Sequence, residues 1–219
     1  MSAPDLLAVS GLTVRYRDAV QPALADLDLD LAAGECVAVT GPSGCGKSTL
    51  CRALLDLLPA GTERGGRILW RGDDITRDRA RWHALRGRGL GLVLQDHRHA
   101  LDPVRRVGDQ VAEVVGVHRH RLTREERAQA ALALFERVRL SPAAAFAARY
   151  PHQLSGGQRQ RVNLAAALAA GPAVLLADEP TTALDLPVQG GIMRLLRWLV
   201  NDDGLAVLLV THDEDLVPL

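Results

Sequence analysis

Gly41-Pro42-Ser43-Gly44-Cys45-Gly46-Lys47-Ser48 fits the spacing G-x-x-x-x-G-K-[ST], in which the glycines let successive backbone N–H groups turn inward around an anion. Lys47 is the only lysine in a chain whose Lys and Arg total 26. A composition that places arginine everywhere else keeps lysine where a compact, rotatable ammonium must sit between phosphate oxygens, a space that a planar guanidinium does not fit. Such a loop needs a strand before it and a helix after it. Cys36-Val37-Ala38-Val39-Thr40 is short, apolar and β-rich, and the stretch from Ser48 to Leu58 carries leucines at 50, 54, 55, 57 and 58. The expectation is a strand–loop–helix unit that holds a nucleoside triphosphate. Gly41, Pro42, Ser43, Gly44, Cys45, Gly46 and Lys47 surround the phosphates, Ser48 offers its hydroxyl to Mg²⁺, and Thr49 reaches an inner phosphate.

Working outward, strand-like runs occur at Leu12–Tyr16, Cys36–Thr40, Arg67–Trp70, Leu90–Leu94, Ala173–Ala177 and Leu205–Val210. The last four do not alternate, as expected of strands buried on both faces. The run Ala173–Ala177 ends in Asp178-Glu179. A buried strand delivers such acids at its carboxyl end, beside the phosphate loop, where Asp178 can hold Mg²⁺ directly or through water and Glu179 can polarise an attacking water. Between Asp96 and Tyr150 the pattern turns helical. Thr123-Arg124-Glu125-Glu126 reads as a capping box, followed by apolar positions 128, 131, 134, 135 and 138 at helical spacing.

With 219 residues and 47% apolar content, a large core in one domain is expected. Zero formal net charge argues against a nucleic-acid partner held by a basic surface. The longest apolar stretch, Leu164 to Ala177, is broken by Gly171-Pro172 and is too short to span a bilayer, so a membrane role is expected to run through partners. No charged-then-apolar leader is visible, and three cysteines clustered at 36, 45 and 51 suit a reducing compartment.

Leu154-Ser155-Gly156-Gly157-Gln158 opens a further helical run, Gln158 to Ala170, that stops at Gly171-Pro172. Here the chain resembles the ABC-type ATPases, whose signature Leu-Ser-Gly-Gly-Gln it matches at every position. The resemblance implies an α/β, P-loop NTPase core, mostly a parallel sheet flanked by helices, with an antiparallel β N-terminal part and a helical subdomain. Residues 1–95 and 172–219 are then the core and 96–171 the subdomain that bears the signature. It implies that Ser155, Gly156, Gly157 and Gln158 contact the γ-phosphate held by a second ATPase subunit. By the same resemblance Tyr16, 25 residues before the loop, stacks on adenine. Gln95 contacts Mg²⁺ or the lytic water, Asp185 in Ala183-Leu184-Asp185 crosses the dimer interface, and His212 contacts the γ-phosphate and orients the base.

The stretches Asp96-His97-Arg98-His99-Ala100-Leu101-Asp102-Pro103-Val104, Tyr150-Pro151-His152-Gln153 and Thr181-Thr182-Ala183-Leu184-Asp185 resemble the peptide/nickel importer branch. That branch implies integral membrane permease subunits, an indirect solute-binding partner and a place on the cytoplasmic face of the membrane. A soluble ABC ATPase in a multi-enzyme, DNA- or ribosome-associated complex is the alternative. His97 stands where the branch has proline, Pro187 where threonine is common, and Gly190-Gly191 should weaken their helix by ~1 kcal/mol each. The chain stops seven residues after His212, a short C-terminus beside the family pattern, which makes ATP binding a firmer expectation than hydrolysis. The pairs His97-x-His99 and His118-x-His120 do not share a helical face and are read as solvated surface rather than a metal site.

Overall fold

The computed structural model describes residues 5–95 and 100–213. In chain order the strands are β1 (Asp5–Arg15), β2 (Leu24–Ala32), β3 (Cys36–Thr40), β4 (Glu63–Trp70), β5 (Asp73–Asp74), β6 (Leu90–Val93), β7 (Val174–Asp178) and β8 (Ala206–Thr211). The helices are α1 (Lys47–Ala53), α2 (Arg79–Leu85), α3 (Val107–His118), α4 (Arg124–Arg137), α5 (Ala143–Ala147), α6 (Gly156–Leu168) and α7 (Leu186–Asn201). Two sheets result: an antiparallel one in the order β2-β1-β4-β5 and a parallel one in the order β3-β8-β7-β6.

The parallel sheet is buried on both faces, and its side chains show how. Val174 and Leu176 of β7, with Ala206, Leu208 and Val210 of β8, pack toward β1, β4 and α1. Leu175, Ala177, Val207 and Leu209 face the opposite way, into a cluster with α3, α4, α6 and α7. Strands clad by helices on one side and a second sheet on the other must be apolar at every position, which explains the unalternating runs. The register β7 to β8, from Val174↔Ala206 to Asp178↔Val210, sets the ends of the two strands side by side.

Several expected elements shift. The run at Arg67–Trp70 is not a strand buried on both faces: β4 belongs to the antiparallel sheet, and Glu63, Gly65, Gly66 and Arg67 are exposed while only Ile68 and Trp70 are buried. Leu12–Tyr16 is the end of the longer β1, which stops at Arg15 and leaves Tyr16 just beyond it. The helix after the phosphate loop is shorter than its leucines suggest, because the chain turns after Ala53 and Asp56 takes a left-handed φ of 52°. α4 begins as its sequence requires: Glu126 N–H donates to Thr123 Oγ1 at 3.2 Å and Thr123 N–H donates to Glu126 Oε2 at 2.7 Å. α6 starts at Gly156, so the two signature glycines lie inside its first turn rather than ahead of it.

Candidate active site

All four strands of the parallel sheet point their carboxyl ends to one edge, and each delivers a different group there. The phosphate loop leaves β3, Gln95 follows β6, Asp178 closes β7 with Glu179 next, and His212 follows β8. Gly46 is the left-handed residue at φ 104° from which α1 starts, and a Cβ there would collide with the carbonyl oxygen of Ala23. Only glycine fits that position. Lys47 is buried, 6% exposed, and its Nζ donates to the carbonyl oxygens of Gly41 at 2.8 Å and Pro42 at 2.9 Å. The same ammonium lies 3.6 Å from Glu179 Oε1.

Glu179 is the hub of this edge. Its backbone takes a left-handed φ of 47°, and its N–H donates to Val210 of β8 at 2.8 Å. Its Oε2 accepts from Gln95 Nε2 at 2.8 Å and from Thr182 Oγ1 at 2.8 Å, and lies 3.3 Å from His212 Nδ1. Burial pushes the carboxyl upward, but hydrogen bonds from Thr182 and His212, with the charges of His212 and Lys47, outweigh it and hold the group below the usual glutamate range. A carboxylate so held stays ionised, as an acceptor of a proton must be.

Asp178 differs. It is 6% exposed, burial pushes its carboxyl above the ordinary range, and the neighbouring Glu179 adds to this against hydrogen bonding from Ser48 and the charges of Arg52 and Lys47. Its Oδ1 is buried without a hydrogen-bond partner. A buried carboxylate oxygen left over beside a serine hydroxyl is a donor set that fits a small, hard divalent cation such as Mg²⁺. The Gln95 amide nitrogen is engaged with Glu179, so its oxygen is the atom of that side chain a cation can use.

A second group of expected residues gathers elsewhere. Ser155 caps α6: Gln158 N–H donates to its Oγ at 3.3 Å, and its own N–H donates to Gln158 Oε1 at 3.0 Å. Ser155, Gly156, Gly157 and Arg159 line a cavity of about 260 Å³ together with Asp185, the exposed residue that starts α7, and no phosphate-loop residue lines it. Gly157 is required by packing, since a Cβ there would collide with Cγ1 of Val188 on α7. The structure thus brings Lys47, Ser48, Gln95, Asp178, Glu179 and His212 into one site and places Ser155–Gln158 and Asp185 in another. Tyr16 joins the first through its hydroxyl, 2.9 Å from Thr49 Oγ1.

Thr182 enters the sequence reading only within the stretch that resembles the importer branch, with no role at the site. Its position three residues beyond Glu179 was the available signal, hidden because a hydroxyl after a strand end has many ordinary uses. His118 departs from the expected solvated surface: it packs half-buried over Gly87, and burial, Arg88 and His120 hold its pKa below the ordinary value. No group of three or more metal-binding side chains occurs among the described residues, and His97 and His99 lie outside them. Nor does any described helix have the length and apolarity to cross a membrane.

Comparison with known proteins agrees with this geometry. The profile of a family described as "ABC transporter" matches residues 24–182. A Brucella abortus (strain 2308) protein named as a peptide import ATP-binding protein is 42% identical over 221 residues, which is 99% of this chain and 66% of that protein. The chain therefore spans just under two thirds of the length of that relative. A glutathione import ATP-binding protein of Salmonella choleraesuis (strain SC-B67) is 37% identical over 99% of this chain and 36% of its own length. Among solved structures, a dimeric ATP-binding cassette in a post-hydrolysis state, bound to ADP and phosphate, superposes with a TM-score of 0.81 at 32% identity, covering 96% of this chain and 89% of that one. The Clostridium perfringens cbiO1, part of an ABC transporter complex, gives 0.83 at 31% identity, with 98% and 81% covered.

Proposed function

The chain belongs to the ABC transporter family, and from that premise we propose that it binds and hydrolyses ATP as the energy-coupling subunit of an importer of peptides or a related small solute. One observation carries the catalytic part: a buried, ionised Glu179 stands 3.6 Å from the phosphate-loop lysine with donors fixed on one of its oxygens. On this reading the loop from Gly41 to Ser48 holds the triphosphate by backbone N–H groups and Lys47 neutralises charge on its β- and γ-oxygens. Tyr16 meets the adenine. Ser48, Asp178 and Gln95 would hold Mg²⁺, which supplies charge neutralisation at the phosphates when bound. Glu179 aligns the attacking water and takes its proton, and His212 orients Glu179 and meets the γ-phosphate.

The second group supports a partner. Ser155–Gln158 is the capped start of α6, with Ser155 exposed like Asp185 beside it and apart from the phosphate loop. We assign it to the nucleotide of a second ATPase subunit, identical or homologous, with residues 96–171 as the arm that carries it. Integral permease subunits would anchor the pair at the cytoplasmic face of the membrane, fed by a solute-binding protein. The substrate class rests on the import proteins among the relatives.

The variant Glu179→Gln tests the reading. It should keep ATP affinity, lose turnover by about 10²- to 10⁴-fold, and accumulate an ATP-bound dimer on size exclusion. Steady-state ATPase equal to the unaltered chain would remove Glu179 from the chemistry. Purification with soluble enzymes or nucleic acid in place of membrane subunits would overturn the transport assignment.

A further inference from the structure

We propose that Thr182 is a positioning residue for hydrolysis: its hydroxyl fixes Oε2 of Glu179 so that Oε1 is the oxygen that accepts the proton of the attacking water. This rests on the reading of Glu179 as the base and assigns the roles of its two oxygens. The donors are unevenly shared. Thr182 Oγ1 and Gln95 Nε2 each donate to Oε2 at 2.8 Å, and His212 Nδ1 lies 3.3 Å from the same atom. Oε1 instead faces Lys47 Nζ at 3.6 Å, on the side of the phosphate loop. A carboxylate has about two lone-pair sites on each oxygen, so three donors saturate Oε2 and leave the accepting capacity on Oε1.

Among the three donors, Thr182 is the one built into the same turn. The chain leaves β7 through the left-handed Glu179, and Thr182 N–H donates back to the Glu179 carbonyl at 3.2 Å. That tight turn sets the Thr182 side chain under the carboxylate three residues earlier. Gln95 and His212 come from the ends of β6 and β8, and both are exposed. Displacement of either loop end leaves the Thr182 bond in place. A single local bond fixes the carboxylate rotamer whatever the distant loops do, and such alignment is what an in-line attack requires. In the step itself the water oxygen bonds to the γ-phosphorus, its proton passes to Oε1, and the bond from phosphorus to the bridging oxygen breaks to leave ADP. The carboxyl then returns the proton to the released phosphate or to solvent.

Thr182→Val keeps the shape of the side chain and removes the hydroxyl. In the purified full chain it should lower kcat about tenfold to a hundredfold, with KM for ATP and nucleotide affinity unchanged. It should also prolong the ATP-bound dimer on size exclusion, because the nucleotide is held but not consumed. Thr182→Ser should recover most of the rate. Wild-type turnover and no lengthening of the dimer in Thr182→Val would overturn the proposal, as would a loss of ATP affinity matching the loss of rate, or a serine variant as slow as the valine one. Those outcomes leave Glu179 as the base; wild-type turnover in Glu179→Gln would instead sink the reading beneath the proposal.

Discussion

Cys45 sits in the middle of the phosphate loop with an exposed side chain, and the other two cysteines are shielded. Burial, followed by the charge of Glu35, pushes the Cys36 thiol up to about 11, and burial pushes the thiol of Cys51, in α1, higher still. Thiolate is the reacting form, so an alkylating reagent at neutral pH should modify Cys45 first. If the loop wraps the triphosphate as proposed, alkylation should abolish ATP binding, and MgATP should protect the thiol. Mass-spectrometric mapping with and without MgATP reads this directly; equal labelling of Cys45 in both samples would mean that the loop does not enclose phosphate. At this scale much of the site was legible. Lys47, Ser48, Asp178 and Glu179 stand next to the features that explain them, a glycine loop and the end of an apolar run. Thr182 was not legible, because its partner is defined by the left-handed turn at Glu179 and not by residue type.

Between elements, the contact that positions the signature loop is the seam between α6 and α7. Gly157 lets α6 approach until Val188 fills the space a Cβ would take. One turn further along α6, Arg161 donates from Nη1 to the carbonyl of Val138 at 2.7 Å and from Nη2 to the carbonyl of Gly191 at 3.3 Å. The glycines at 190 and 191 cost α7 helix propensity, yet Gly191 leaves its carbonyl open to that guanidinium. Gly157→Ala should therefore lower stability by about 1–3 kcal/mol through overpacking and weaken ATP-dependent dimerisation, with ATP affinity of the monomer retained. Adding Val188→Ala should return much of both. Thermal melts of the two single variants and the pair give the coupling energy, and strict additivity would show that the two residues do not share the seam. The strand β2 shows the opposite limit of sequence reading. Asp26, Asp28 and Asp30 alternate with Leu27, Leu29 and Leu31, a strand pattern masked by a residue that disfavours strands, and accommodated here on a sheet edge where the aspartates meet water.

For the whole molecule, the two groups of site residues lie in separate places, so on the reading above the loop at Ser155 closes over another subunit's nucleotide. Placing Ser155→Arg in a Glu179→Gln chain should then leave ATP affinity of the monomer intact and abolish the ATP-bound dimer. Size exclusion with ATP and Mg²⁺ checks this, and a dimer as abundant as that of Glu179→Gln alone would mean that Ser155 does not meet nucleotide in trans. The sequence by itself determined what each motif is: a phosphate loop, a strand end bearing two carboxylates, a capped helix after Leu154, and helical periodicity after Thr123. These are local properties, in which neighbouring residues carry both the chemistry and the backbone geometry that presents it. Only the tertiary structure decided that β4 joins an antiparallel sheet, and that β3-β8-β7-β6 is the order which lays Gln95, Glu179 and His212 against one another. Gln95 and Glu179 are 84 residues apart in the chain. Their meeting depends on which buried strands pair, a choice made by packing both faces of the sheet at once, and no window of sequence contains that information.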